Sequence, residues 1–167
     1  SSVNVKSKTD LPILVLLSGP EPQRTILENK LIEQALKCGI ETVILQGLPG
    51  KTSRKKIKNI TLISHADDDE LAEYICSAKH IICRPGYSTL MDLAALNKSG
   101  IFIPTPGQTE QEYLSRRFLQ ENIAFSESQD KFNLINAINK GINYKGIYMS
   151  HNNLKLKERI NVLLNNC

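Results

Sequence analysis

The sequence has no tryptophan, and four phenylalanines with five tyrosines bring its aromatic content to only 5%. So few flat rings argue against a base-stacking platform for nucleic acid. Long hydrophobic runs are missing as well. The longest, residues 11–17, contains Pro12 and falls far below the roughly 20 residues needed to span a bilayer. The amino terminus (Ser1-Ser2-Val3-Asn4-Val5-Lys6) shows no secretory pattern and no initiator methionine, which points to a piece of a longer chain. Cysteine is sparse. Cys38, Cys76, Cys83 and Cys167 form no C-x-x-C pair and no metal-ligand spacing, as fits reduced, mostly buried thiols in a cytoplasmic protein. No H-E-x-x-H, Ser/His/Asp order or Cys/His cluster stands out, so metal catalysis and a protease triad have little support. Charge of one sign is weak too: 21 Lys and Arg against 17 Asp and Glu leave a formal +4. The resulting pI near 8.9 permits an anionic ligand or membrane surface without requiring one.

What is present is an ordinary globular balance, 41% hydrophobic and 23% charged over 167 residues. That suffices for one domain with a sizeable core. Residues 1–10 are polar and read as a linker, leaving 11–167 as the domain. Pro12-Ile13-Leu14-Val15-Leu16-Leu17 suits a strand buried on both faces. Pro22 then sits where a helix begins, Ile26, Leu27, Leu31, Ile32 and Leu36 follow at helical spacing, and Gly39 supplies the stop. Further strands are expected over 42–45, 60–63, 80–83 and 101–103. Helices are expected from the acidic turn Asp67-Asp68-Asp69-Glu70 through Ala78, and over 87–96, 110–120, 131–139 and 153–164. The basic run 51–58 carries no aromatics and no amphipathic period. It reads as a solvated loop, with an anionic membrane or nucleic acid as the alternative partner. Five alternations of strand and helix predict an α/β, Rossmann-like parallel sheet of five or six strands, helices on both faces. Ligands of such sheets sit at the carboxyl ends of the strands, near a switch in strand order.

The loops at those ends hold the candidate residues. After the 80–83 strand, Gly86 allows close backbone approach, and Tyr87, Ser88 and Thr89 open a helix whose free N–H groups and hydroxyls suit a phosphate or pyrophosphate. Asp92, three residues beyond Thr89, can accept hydrogen bonds from a ribose diol on the same side of that helix. A plain capped helix, with Ser88 or Thr89 as cap, fits the same residues equally well. After the 101–103 strand, Gln108, Gln111 and Glu112 offer donors and acceptors suited to sugar hydroxyls. There the alternative is a capping box of Thr109 with Glu112. After the first strand, Ser18-Gly19-Pro20-Glu21-Pro22-Gln23-Arg24 is neither a dinucleotide fingerprint nor a P-loop, since both need more glycines. Arg24 opposes the helix dipole there and wants an anion, either Glu21 or a ligand phosphate. His65 is the only histidine on a ligand-facing loop, and reads as a surface or packing residue before a catalytic base. His80, within a strand, and His151, near the last helix, suggest no site.

The order Cys83-Arg84-x-Gly86-x-x-Thr89-x-x-Asp92-Leu93-Ala94-Ala95, then Pro104, then Gln111-Glu112-Tyr113, resembles the C-terminal, donor-binding half of GT-B glycosyltransferases. Within them it is similar to the N-acetylglucosaminyltransferases that complete lipid II and to related bacterial proteins. The likeness runs from Leu14 to about Ile138 and is strongest over 81–124. The resemblance implies that Asp92 binds the ribose hydroxyls of UDP and that Gly86, Tyr87, Ser88 and Thr89 contact phosphate. It implies that Gln111 and Glu112 contact the donor sugar, and that Ile63, Ser64 and His65 offer backbone groups to uracil. Three departures stand out: Asp92 where the family has Glu, Gln111-Glu112 where it has Gln-Gln, and a first loop around Gly19 that is not glycine-rich. Arg24 matches an arginine common after the family's glycines.

The resemblance implies a donor domain of an inverting transferase that moves a sugar from a UDP-sugar, best UDP-N-acetylglucosamine, to an acceptor hydroxyl. No catalytic residue is expected in this half, and no obligatory metal or other cofactor. The acceptor half would lie in a missing N-terminal domain or a partner subunit, and this fragment would be inactive alone. The expected setting is cytoplasmic, at the inner face of the membrane through that other half, in cell-envelope polysaccharide synthesis. A nucleotide-sugar hydrolase or epimerase half, or a non-catalytic subunit of a split glycosyltransferase, are the alternatives.

Overall fold

The computed structural model describes residues 11–147. The expected linker over 1–10, the expected helix over 153–164, His151 and Cys167 lie outside them. The elements run β1 (Leu11–Leu16), α1 (Gln23–Cys38), β2 (Thr42–Leu45), β3 (Arg54–Ile57), β4 (Ile60–Ile63), α2 (Asp68–Ser77), β5 (Ala78–Cys83), α3 (Tyr87–Ala95), β6 (Ile101–Phe102), α4 (Thr109–Gln120) and α5 (Leu134–Gly141). One six-stranded sheet forms in the order β3-β4-β2-β1-β5-β6, parallel throughout except where β3 runs antiparallel to β4. The expected α/β sheet with helices on both faces is the fold observed.

Alternation along the strands divides the core. Leu14 and Ile81 pack on one face with Tyr74 and Ile75 of α2, Leu90 and Leu93 of α3, and Leu114 and Phe118 of α4. Ile13, Val15 and Ile82 pack on the other with Leu27 and Leu31 of α1 and Leu134 and Ala137 of α5. Each of the buried Leu, Ile, Val and Phe side chains among these contributes about 1.5–3 kcal/mol of transfer free energy, which is what holds the helices on the sheet. Gly39 ends α1 as its position predicts, at φ 69 with its N–H donating to the Ala35 carbonyl at 3.1 Å.

Three segments depart from expectation. The run 51–58 is not simply a loop, for Arg54–Ile57 pairs with β4 from Ile57 opposite Ile60 to Arg54 opposite Ile63. A basic strand is stable at this position because it is the sheet's edge: Arg54, Lys55 and Lys56 stay exposed and deter pairing with other chains, while Ile57 is half-buried. Lys58 makes the connection to β4 at φ 52. Ala78, expected to close a helix, instead opens β5, opposite Leu11. In addition, α5 starts at Leu134 because the Asn133 side chain caps it, accepting from the Asn136 amide at 2.9 Å.

Strand β1 lies between β2 and β5, so the chain turns in opposite directions across the sheet on either side of it. The crevice outside the carboxyl ends at that switch is where α/β sheets bind ligands.

Candidate functional site

A cavity of about 190 Å³ opens at the switch. Leu17 and Ser18 leave β1 along one wall, Gly47 follows β2, His65 follows β4, and Thr89 and Asp92 project from α3. The structure therefore brings three of the predicted residues together: His65, Thr89 and Asp92. Gly47 is required by geometry, since at φ 63 an added Cβ would lie 2.3 Å from the Leu17 carbonyl oxygen. Asp92 is exposed at the mouth of this cavity, yet the desolvation it meets there pushes its carboxyl above its ordinary range, and the negative charge of Asp68 adds to the shift.

At the start of α3, Gly86 occupies the N-cap at φ −89 and ψ 153, and no side chain caps the helix. The expected Ser88 or Thr89 cap is not formed, because the helix begins one residue before Ser88 and places both in its first turn. Orphan amides at a helix start therefore face the loop cluster without a side-chain oxygen on them. Tyr87 and Ser88 are exposed and Thr89 half-buried.

Of the residues at the end of β4, Ile63 accepts from the Gln46 amide at 2.8 Å. Ser64 is 1% exposed and fully engaged: its N–H donates to Ser53, its carbonyl accepts from Leu48, and its hydroxyl bridges Ser53 and Lys51. His65 is exposed beside them.

The loop after β6 is tied to α4 by its own polar side chains. Gln111 Oε1 accepts from the Thr105 amide at 2.8 Å while Gln111 Nε2 donates to Gln108 Oε1 at 2.8 Å. Glu112 accepts from the Gly107 amide at 3.2 Å. The expected capping box does not form, because Gln108 rather than Thr109 is the N-cap residue and Glu112 bonds one residue upstream. Glu112 also lines a second cavity, of about 710 Å³, together with Gln23, Ile26, Pro104, Pro106 and Leu119. Glu112 and Asp92 thus line different cavities at the same end of the sheet.

Gly19, at φ 98, bridges towards that loop, since a Cβ there would meet Thr105 Oγ1 at 3.5 Å. Arg24 has found its anions within the chain. Nε contacts Glu21 at 2.7 Å and Nη1 contacts Glu28 at 2.6 Å, the second partner unanticipated. Burial opposes the Arg24 charge, and the bonds to Glu28 and Glu21 outweigh it, raising the pKa.

The sequence analysis gives no role to Arg84, which it quotes only within a motif, nor to Thr105 or Gln129, all of them buried polar residues. The signal was available for one of them. Arg84 directly follows an apolar strand, where a cation must be buried or leave the core. Among the described residues, no group of three or more His, Cys, Asp or Glu side chains is placed to hold a metal, and no helix is long and apolar enough to cross a membrane.

Comparison with known proteins adds to this geometry. The model of the glycosyltransferase family 28 C-terminal domain matches residues 25–161. A curated relative from Haemophilus ducreyi, UDP-N-acetylglucosamine--N-acetylmuramyl-(pentapeptide) pyrophosphoryl-undecaprenol N-acetylglucosamine transferase, is 26% identical over 136 residues. That match covers 77% of this chain and 38% of the relative, so the chain spans well under half of that protein. Among solved structures, ALG13 aligns with a TM-score of 0.60 at 11% identity, over 91% of this chain and 96% of that one. The glycosyltransferase SnogD from Streptomyces nogalater aligns with a TM-score of 0.60 at 13% identity, over 93% of this chain and 39% of its own length.

Proposed function

The chain belongs to the glycosyltransferase family 28 C-terminal domains, and from that premise we propose that it binds a UDP-sugar and serves as the donor half of an inverting sugar transferase. One observation carries the reading. The Asp92 carboxyl and the uncapped start of α3 belong to the same helix, nine residues long, and Asp92 opens on the cavity at the strand switch. A nucleoside diphosphate needs that pair of features: an acceptor for ribose hydroxyls and a donor-rich seat for phosphate.

In this reading the ribose hydroxyls donate to Asp92. The diphosphate lies across the Gly86–Thr89 turn, and the sugar reaches towards Gln111 and Glu112. UDP-N-acetylglucosamine is the donor that fits the Haemophilus relative's name. The acceptor's hydroxyl oxygen attacks the anomeric carbon and the bond from that carbon to the diphosphate oxygen breaks. UDP departs with the electron pair. The α3 amides take up the charge developing on the diphosphate, with no metal needed for that step. The hydroxyl proton goes to a base on the acceptor half, in a longer chain or a partner subunit, which would also bring contact with the inner face of the membrane. The fragment alone is inactive in transfer. A cell-envelope polysaccharide is the product class this reading favours.

Calorimetric titration with UDP, UDP-N-acetylglucosamine, GDP and ATP tests the proposal. Selective binding of the uridine ligands is the expected result. No binding of any of them at millimolar concentration would remove the reading, and release of free or epimerised sugar from the donor would replace it with hydrolase or epimerase chemistry.

A further inference from the structure

Arg84 is 1% exposed, and among the described residues every partner of its guanidinium is neutral. Nη1 donates to the carbonyls of Ile103 at 3.1 Å and Pro104 at 3.2 Å. Nη2 donates to the Gln23 carbonyl at 3.3 Å and to Gln129 Oε1 at 2.7 Å. Nε is buried and has no partner among the described residues. Among the described residues, no carboxylate forms an ion pair with it. Burial pushes its pKa down to about 10, so the group still carries its charge at neutral pH. A full charge held in the core without a counter-ion is strongly unfavourable, which makes its place in the fold informative.

That place is beneath the junction of the ligand-facing loops. Gln23 opens α1 just after the first loop, Ile103 and Pro104 leave β6, and Gly86 follows Arg84 by two residues at the start of α3. Directly after Pro104, Thr105 is 1% exposed, its Oγ1 has no partner among the described residues, and Gly19 of the first loop approaches it. Two unpartnered polar groups, Arg84 Nε and Thr105 Oγ1, are therefore buried under one convergence of three loops.

We propose that Arg84 is a positioning residue that locks the loops after β1 and β6 together, and that its uncompensated charge attracts the ligand's diphosphate from below without touching it. The inference rests on the nucleotide-sugar reading above and adds the source of its preference for a diphosphate over a bare nucleoside. At an effective dielectric near 20, a unit charge within about 10 Å of a dianion is worth at least tenfold in affinity.

The test compares UDP with uridine by calorimetry on the 167-residue chain. Gln129→Glu sets a carboxylate where an amide oxygen now lies 2.7 Å from Nη2, cancelling the charge while keeping the guanidinium and its carbonyl partners, at the loss of the bond that Gln129 Nε2 donates to Gln23 Oε1 at 2.8 Å. The expected result is an affinity ratio of UDP to uridine lowered about tenfold. Arg84→Gln should lower the ratio similarly, and Arg84→Lys should retain most of it. Because Gln129→Glu keeps Arg84 in place, the test does not depend on the Arg84 variants folding. An unchanged ratio in Gln129→Glu overturns the inference, as does a wild-type chain that binds uridine as tightly as UDP. A wild-type chain that binds neither removes the nucleotide-sugar reading, and this inference with it.

Discussion

The side-chain oxygen of Gln111 accepts the Thr105 amide at 2.8 Å, closing the loop that leaves β6 onto the first turn of α4. Thr105 is 1% exposed, so its amide has no water to turn to if that acceptor is removed. Gln111→Ala should therefore destabilise the domain by about 1–3 kcal/mol, the cost of an unmet buried donor. Urea unfolding reads this directly. Gln111→Glu keeps the acceptor and should lose much less, so equal losses in the two variants would show that the Gln108 contact, not the Thr105 amide, matters.

Asp92 makes the opposite prediction for stability. Its carboxyl pKa is raised in the folded state by desolvation and then by Asp68. The folded protein thus binds a proton more tightly than the unfolded chain, and stability declines as pH rises from the ordinary value of 3.8 through the raised one. Asp92→Asn removes that penalty. The variant should melt higher than wild type at pH 7, with the gain vanishing below the ordinary carboxylate range. UDP affinity should fall in the same variant, because an amide is a weaker acceptor for a ribose diol. A variant that melts higher and binds UDP unchanged would leave Asp92 without a role in binding.

Breaking the pair of Arg24 and Glu28 should be far more damaging than trimming its outer partner. Glu28 is 8% exposed and, among the described residues, would keep the Gln46 amide alone, so Arg24→Met is expected to cost about 3 kcal/mol. Glu21 lies in solvent, and Glu21→Gln should leave the melting temperature nearly unchanged. Similar losses in both variants would place the stabilisation at Glu21 instead of the buried pair.

Much of this architecture is legible in the residues, for physical reasons that also explain the misses. Ile13-Leu14-Val15, Val43-Ile44-Leu45 and Ile81-Ile82 are buried on both faces and say so by being apolar without alternation. Gly39 announces the end of α1 because only a left-handed residue fits there. Arg54-Lys55-Lys56-Ile57 gave no such signal. An edge strand draws its stability from a neighbour's hydrogen bonds, and its solvent-facing side chains look like those of a loop. The candidate site divides in the same way. Asp92 and Thr89 fall together because helical spacing is local, whereas the approach of Gly19 to Thr105 and the four neutral partners of Arg84 join segments far apart in the chain.

That basic edge strand supplies a last test, through Ser64. Its hydroxyl donates to the Lys51 carbonyl at 2.8 Å and accepts from the Ser53 amide at 2.8 Å, stitching the segment before β3 to the end of β4. The residue is 1% exposed, and its own N–H and carbonyl bond Ser53 and Leu48, so Ser64→Ala removes both side-chain bonds without creating room for water. The expected cost is about 1–3 kcal/mol. Hydrogen exchange should show where it falls: amides over 51–57 should lose protection while β1 and β5 keep theirs, since the edge strand opens without the centre of the sheet. Uniform loss of protection across the sheet would mean instead that this corner unfolds only with the whole domain. Because His65 borders both this corner and the Asp92 cavity, apparent UDP affinity in Ser64→Ala should fall with the local protection, and saturating UDP should restore that protection by mass action.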